Sequence, residues 1–133
     1  MSSKLMTLHE LSIRINSLAK GDQDFPDHLL GDFIDDFRLR AKSADEKLAL
    51  VANEPLPCGK FPDANAYLAA VTEFLCREAG LRPPSWTERP EYFLPEPWFA
   101  GGLESLKAIL LVESPVPFRR RNLFVSENAM TRV

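Results

Sequence analysis

The stretch Asp63-Ala64-Asn65-Ala66-Tyr67-Leu68-Ala69-Ala70-Val71-Thr72-Glu73-Phe74-Leu75-Cys76-Arg77-Glu78-Ala79-Gly80 decides the fold. Ala64, Tyr67, Leu68, Val71, Phe74 and Leu75 recur at the three- and four-residue spacing of one helical face. Pro62 and Asp63 open the helix, with Asp63 as the expected side-chain cap. Gly80 followed by Leu81 suits a left-handed stop with a hydrophobic contact back onto the last turn. Pro83 and Pro84 then forbid continuation.

Working outward, proline divides the rest of the chain. There is none before Pro26; Pro55, Pro57 and Pro62 follow, then five between Pro83 and Pro97, then Pro115 and Pro117. The proline-free stretches carry helical patterns. Thr7-Leu8-His9-Glu10 reads as a capping box, followed by Leu8, Leu11, Ile15 and Leu18 as a narrow stripe, with Gly21 as the stop. A second helix starts near Pro26, with Leu29, Leu30, Phe33, Ile34 and Phe37 on one side and its aspartates mostly opposite. Asp36 and Arg40 are four apart and Asp35 and Arg38 three apart, in the favourable acid-first order. Ser43-Ala44-Asp45-Glu46 caps a short third helix through Leu48 and Val51, and the pattern leaves its continuity with the second open. A fifth helix is expected from about Gly102, with Leu103, Leu106 and Leu110 on one side. Pro115 restarts a short turn that Asn122 ends, Leu123-Phe124-Val125 reads as extended, and Ser126-Glu127-Asn128-Ala129 opens a last turn. No period-two alternation lasts long enough for a sheet. The expected architecture is all-α: one domain over residues 1–133, a bundle of five or six helices with a segment at about 82–101 packed across it.

That segment changes character. Residues 82–99 hold five prolines with Trp86, Tyr92, Phe93, Trp98 and Phe99. A flexible linker lacks this much apolar surface, so the segment reads as an ordered wrap.

Composition sets the outer bounds. The 133 residues are 45% hydrophobic and 26% charged, the balance of a globular domain. No apolar run approaches the roughly 18 residues of a membrane span, and the N-terminus lacks a secretory core, so a cytoplasmic protein is expected. With 16 Lys and Arg against 19 Asp and Glu, the net charge of −3 disfavours general nucleic-acid binding, which draws on a basic surplus. The charge is partly segregated: residues 21–36 hold six aspartates and no Lys or Arg, whereas residues 114–133 hold four arginines against one glutamate. Cys58 and Cys76 show no metal spacing and read as neutral thiols.

Catalytic motifs fail in turn. There is no Gly-x-Ser-x-Gly elbow, and Gly59-Lys60 lacks the earlier glycine and the following Ser or Thr of a phosphate loop. His9 and His28 are the only histidines, and neither has a partner at metal spacing. Asp22-Gln23-Asp24-Phe25-Pro26-Asp27 starts like a calcium loop, but no glycine stands at its sixth position and Phe33 replaces the twelfth-position Glu. Asp32 and Asp36, four apart, are the residues a carboxylate- or metal-dependent enzyme would use. Arg119-Arg120-Arg121 is the sharpest basic feature, and successive helical positions point about 100° apart, so the three cannot share one surface. No cofactor or metal is expected.

The stretches Asp63-Ala-Asn-Ala-Tyr-Leu, Trp98-Phe-Ala-Gly-Gly-Leu and Glu113-Ser-Pro-Val-Pro-Phe-Arg-Arg-Arg-Asn-Leu-Phe-Val-Ser-Glu-Asn-Ala resemble small uncharacterised bacterial helical proteins. Some of those are similar to antitoxin-like partner proteins encoded beside another gene. The likeness covers about the last 70 residues, implies a bacterial cytoplasmic setting and a protein partner, and carries over no active-site residue. Residues 1–60 show no helix-turn-helix to supply a DNA-binding part. The function expected is therefore a non-enzymatic protein–protein interaction module, with Trp86, Tyr92, Trp98, Phe99, Arg119 and Arg120 as its contacts, since aromatics and arginine dominate binding hot spots. The alternatives are the carboxylate- or metal-dependent enzyme or enzyme subunit, a single-stranded nucleic-acid binder using the aromatics with the arginines, and a homodimer that buries the aromatic segment against itself.

Overall fold

The computed structural model describes residues 5–17, 27–57, 63–99, 113–126 and 129–130. Four helices of eight residues or more form its frame: α1 (Leu8–Asn16), α2 (Asp27–Asp35), α3 (Ala44–Val51) and α4 (Ala64–Glu78). A one-turn helix, α5 (Val116–Arg119), follows late in the chain. Two-residue strands β1 (Trp98–Phe99) and β2 (Leu123–Phe124) pair in parallel, Trp98 opposite Leu123 and Phe99 opposite Phe124. The all-α expectation holds apart from this one small pairing. The fifth helix expected from Gly102, Cys58, Leu18, Gly21 and the middle two residues of the last turn at 126–129 lie outside the described residues, and Ala129 N–H closes that turn onto the Ser126 carbonyl at 3.0 Å. Among the described residues no helix is long and apolar enough to cross a membrane.

The caps follow the side chains. Thr7 Oγ1 accepts the Glu10 N–H at 3.0 Å, and Ser43 Oγ accepts the Glu46 N–H at 3.1 Å, each occupying one amide left free in a first turn. Asp63 departs from expectation. Its backbone carbonyl accepts from Tyr67 N, but its own φ and ψ are helical and its side chain makes no cap bond. The far end of α4 closes as its sequence requires. Gly80 takes φ 74°, its N–H reaches the Arg77 carbonyl, and Leu81 N–H reaches the Cys76 carbonyl, the two bonds of a Schellman stop.

Helices α2 and α3 are separate. After Asp35 the backbone widens into a π turn, Asp36–Arg40, and the Ala41 N–H bonds the Asp36 carbonyl five residues back at 2.8 Å. Ala41 then turns extended, and Ser43 caps the next helix. The widened turn also draws one aspartate inward. Asp36, expected on the polar side, is buried, accepting the Met6 N–H at 2.8 Å and meeting Arg40 Nη1 at 3.2 Å.

One core runs through the chain. Leu8, Leu11 and Ile15 of α1, Phe33, Ile34 and Phe37 of α2 and its π turn, Leu50 and Val51 of α3, and Leu68, Val71 and Leu75 of α4 meet in it. Phe118, Leu123, Val125 and Met130 join them. Each fully buried large apolar side chain contributes roughly 1.5–3 kcal/mol. Helix α4 is the central element, packed against α5 and against both 3₁₀ turns of the proline-rich segment, Ser85–Glu88 and Pro90–Tyr92. It is covered on more than the face its spacing marks. Ala66, Ala69, Ala70, Thr72, Glu73 and Cys76 are buried too, while Tyr67 and Phe74 are only half-buried.

Candidate functional site

The wrap across α4 places a carboxylate where no solvent reaches. Glu73 is the only charged residue between Ala64 and Cys76, and its residue exposure is 1%. A buried carboxylate without partners is strongly unfavourable, so its surroundings must be cationic. Three arginines supply this. Arg77, one helical turn on, donates Nε to Oε2 at 2.8 Å, while Arg120 Nη1 and Arg121 Nη1 reach Oε1 at 2.8 and 2.6 Å. Burial alone would raise the Glu73 carboxyl, but the bonds from Arg121, Arg77 and Arg120 outweigh it and hold the group down to about 2.

Arg121 is the most enclosed member. Its side chain is sealed, with Nη1 also bonding the Pro117 carbonyl at 2.8 Å and Nη2 the Thr87 carbonyl at 2.9 Å, so it ties α4, α5 and the first 3₁₀ turn together. Its Nε finds no partner among the described residues. Arg120 extends the network outward, gripping Glu88 through two parallel bonds of 2.9 and 2.8 Å. That grip is the main reason the Glu88 carboxyl lies below its ordinary range. The Arg120 and Arg121 guanidiniums lie over the Phe93 ring, 5.2 and 4.8 Å from its centroid.

The expected contact residues separate into two groups. Trp86 and Tyr92 are buried, which takes them off the surface assigned to them. Trp86 donates Nε1 to the Val51 carbonyl at 2.9 Å, its ring packs edge-to-face on Tyr92 at 5.2 Å, and the Tyr92 hydroxyl bonds Glu54 Oε2 at 2.7 Å. The Trp86 tip finds its partner in the core and the Tyr92 hydroxyl finds a part-exposed carboxylate, while both rings gain burial. The Tyr92 hydroxyl is held above its ordinary range by burial and by Glu54. Trp98 and Phe99 are half-buried: Trp98 packs edge-to-face on Tyr67 at 6.3 Å, and Phe99 stacks on Phe124 at 5.1 Å. Arg119 is exposed, whereas Arg120 is largely committed to Glu73 and Glu88.

Asn122 sets this end of the site. It takes φ 64°, and its carbonyl accepts the Trp98 N–H at 2.8 Å while its side-chain amide donates to the Leu94 carbonyl at 2.8 Å. Ser114 Oγ donates to the Leu123 carbonyl and accepts from Val125 N–H, fixing β2 from the other side. The result holds Trp98 and Phe99 against the strand that follows the arginine turn, with Tyr67 touching both Trp98 and Phe118.

Other candidates are occupied or dispersed. Asp36 is spent on Met6 and Arg40, and Asp32 is exposed beside it, so the pair is not a matched carboxylate site. Among the described residues no group of three or more His, Cys, Asp and Glu side chains is arranged to hold a metal ion. His9 Nδ1 lies 3.0 Å from the Glu54 carbonyl, and His28 is exposed. Cys76 is a free buried thiol that burial pushes up to about 11, which suppresses the reactive thiolate. Among the described residues, Arg120 and Arg121 pair with Glu73 and Glu88, and Arg38 crosses to Glu78 at 2.8 Å.

Sequence reasoning missed Glu73 and Glu88 because the Arg120 and Arg121 that hold them lie 32 to 48 residues away. A signal existed for Glu73: it is a lone charge in a thirteen-residue uncharged run, with Arg77 at the acid-first spacing. Compared with known proteins, the chain matches no family model, no curated protein and no solved structure.

Proposed function

We propose that this chain is a non-enzymatic interaction module that docks another protein, as an antitoxin-like or regulatory partner protein would. The observation that supports this reading is the pair of half-exposed aromatics, Trp98 and Phe99, held by pairing onto the strand that follows the arginine turn, on which Arg119 is exposed. Rigid aromatic rings and arginine give large contact area at small entropic cost, the composition of binding hot spots. Trp86 and Tyr92 act as the foundation of that surface, not as contacts. The exposed apolar side chains Leu39 and Val116 add surface that folding of this chain alone leaves uncovered.

Affinity capture from the cell of origin at moderate salt, read by native mass spectrometry, tests the proposal. A stoichiometric second protein, lost with Trp98→Ala while circular dichroism is unchanged, is the expected result. A chain that emerges with nothing bound, or a partner that Trp98→Ala and Arg119→Ala both retain, overturns it.

A further inference from the structure

Next to the arginine network lies a cavity of about 570 Å³, lined by Arg77, Leu81, Arg82, Pro83, Pro84, Ser85, Thr87 and Glu88. We infer that this cavity is an anion-selective docking pocket for an acidic segment of the partner protein, a deepening that rests on the interaction reading above.

The charge count points this way. Two guanidiniums, Arg77 and Arg82, line the cavity against the Glu88 carboxylate, which Arg120 already bonds, and the Glu73 carboxylate behind the lining is bonded by Arg77, Arg120 and Arg121. Arg77 is the fixed donor. Buried Glu73 holds its Nε, its side chain is 61% exposed, and its Nη groups have no partner among the described residues. A guanidinium oriented by one carboxylate is pre-organised to offer its remaining N–H groups to another. Arg82 is exposed and also lacks a partner among the described residues. Glu88, the one carboxylate among the described lining residues, is closed by Arg120 and repels an incoming anion less than a free carboxylate would.

The end of α4 opposes this, because a helix C-terminus carries partial negative charge. Its last carbonyls are nonetheless occupied: Leu75, Cys76 and Arg77 accept from Ala79, Leu81 and Gly80. The walls suit a peptide more than a bare ion. Leu81, Pro83 and Pro84 give a stiff apolar side, and the volume falls within the range of organic-ligand pockets.

The test is a titration of the full chain, labelled with nitrogen-15, by a hexaglutamate peptide blocked at both ends. A hexaserine peptide and inorganic phosphate serve as the other arms. Saturable shifts of the Leu81, Arg82, Ser85 and Thr87 amides with hexaglutamate alone are expected. Arg82→Glu should weaken that binding by about tenfold or more, and added salt should weaken it too. Absent shifts overturn the inference, as do equal shifts with phosphate or hexaserine or an unaltered affinity in Arg82→Glu. Self-association of the free chain that Arg82→Glu abolishes, without peptide binding, also overturns it by naming a second copy as occupant. A partner captured from cells that binds Arg82→Glu as tightly as the parent would sink the pocket and leave the interaction reading standing. Capture of no partner would sink that reading instead.

Discussion

Arg121 Nη1 stands 2.6 Å from Glu73 Oε1 with both side chains sealed from solvent, across 48 residues of sequence. The pair joins the central helix to the one-turn helix and, through the Thr87 carbonyl, to the proline-rich wrap. The site therefore depends on a charge pair, whose removal would leave one partner buried and uncompensated.

The arginine run should respond unequally along its length. Arg121→Ala is expected to cost about 3–5 kcal/mol, the figure for breaking a buried ion pair. Arg119→Ala, at an exposed neighbouring position, should stay within about 0.5 kcal/mol. Urea denaturation of the two variants checks this, and equal midpoints would contradict the network.

Acid should unfold the protein through Glu73. Its carboxyl is lowered from 4.5 to about 2 in the folded chain, so the unfolded chain takes up the proton first as pH falls. The associated stability, on the order of 3 kcal/mol, is fully present above about 4.5 and is lost as pH falls from there through about 2. Thermal melts across that window should show a steep fall that Glu73→Gln, already destabilised, shows less of.

Gly80→Ala should cost about 1–2 kcal/mol. An added Cβ meets nothing within 4 Å, so the loss comes from the left-handed backbone at φ 74° and not from a clash. Gly80→Asn, which tolerates that region better, should lose less in the same thermal melt.

The two tryptophans should be distinguishable by fluorescence quenching. Trp98, half-buried, should be accessible to acrylamide, and Trp86, 6% exposed, should be protected. Trp86→Phe removes the bond to the Val51 carbonyl and should destabilise by about 1–3 kcal/mol. Comparable quenching of single-tryptophan variants would contradict the placement.

What the sequence alone determined was local. Thr7 and Ser43 oxygens over their own first turns, the Gly80 stop, the Asn122 end of the arginine turn and the apolar stripes of α1 and α4 all depend on neighbours within a few residues. The break between α2 and α3 was not legible, because the π turn there coincides with a bond from Met6 N to Asp36, a partner thirty residues away. The tertiary structure decided which side of each helix counts as inside. Periodicity marks one buried face, yet the proline-rich wrap and α5 cover a second side of α4, so Glu73 became the buried centre of the arginine cluster. For the same reason Trp86 and Tyr92 went inward while Trp98 and Phe99 stayed half-exposed. Composition shows that aromatics are present, but only packing in three dimensions decides which of them finds an inward hydrogen-bond partner and which is left at the surface.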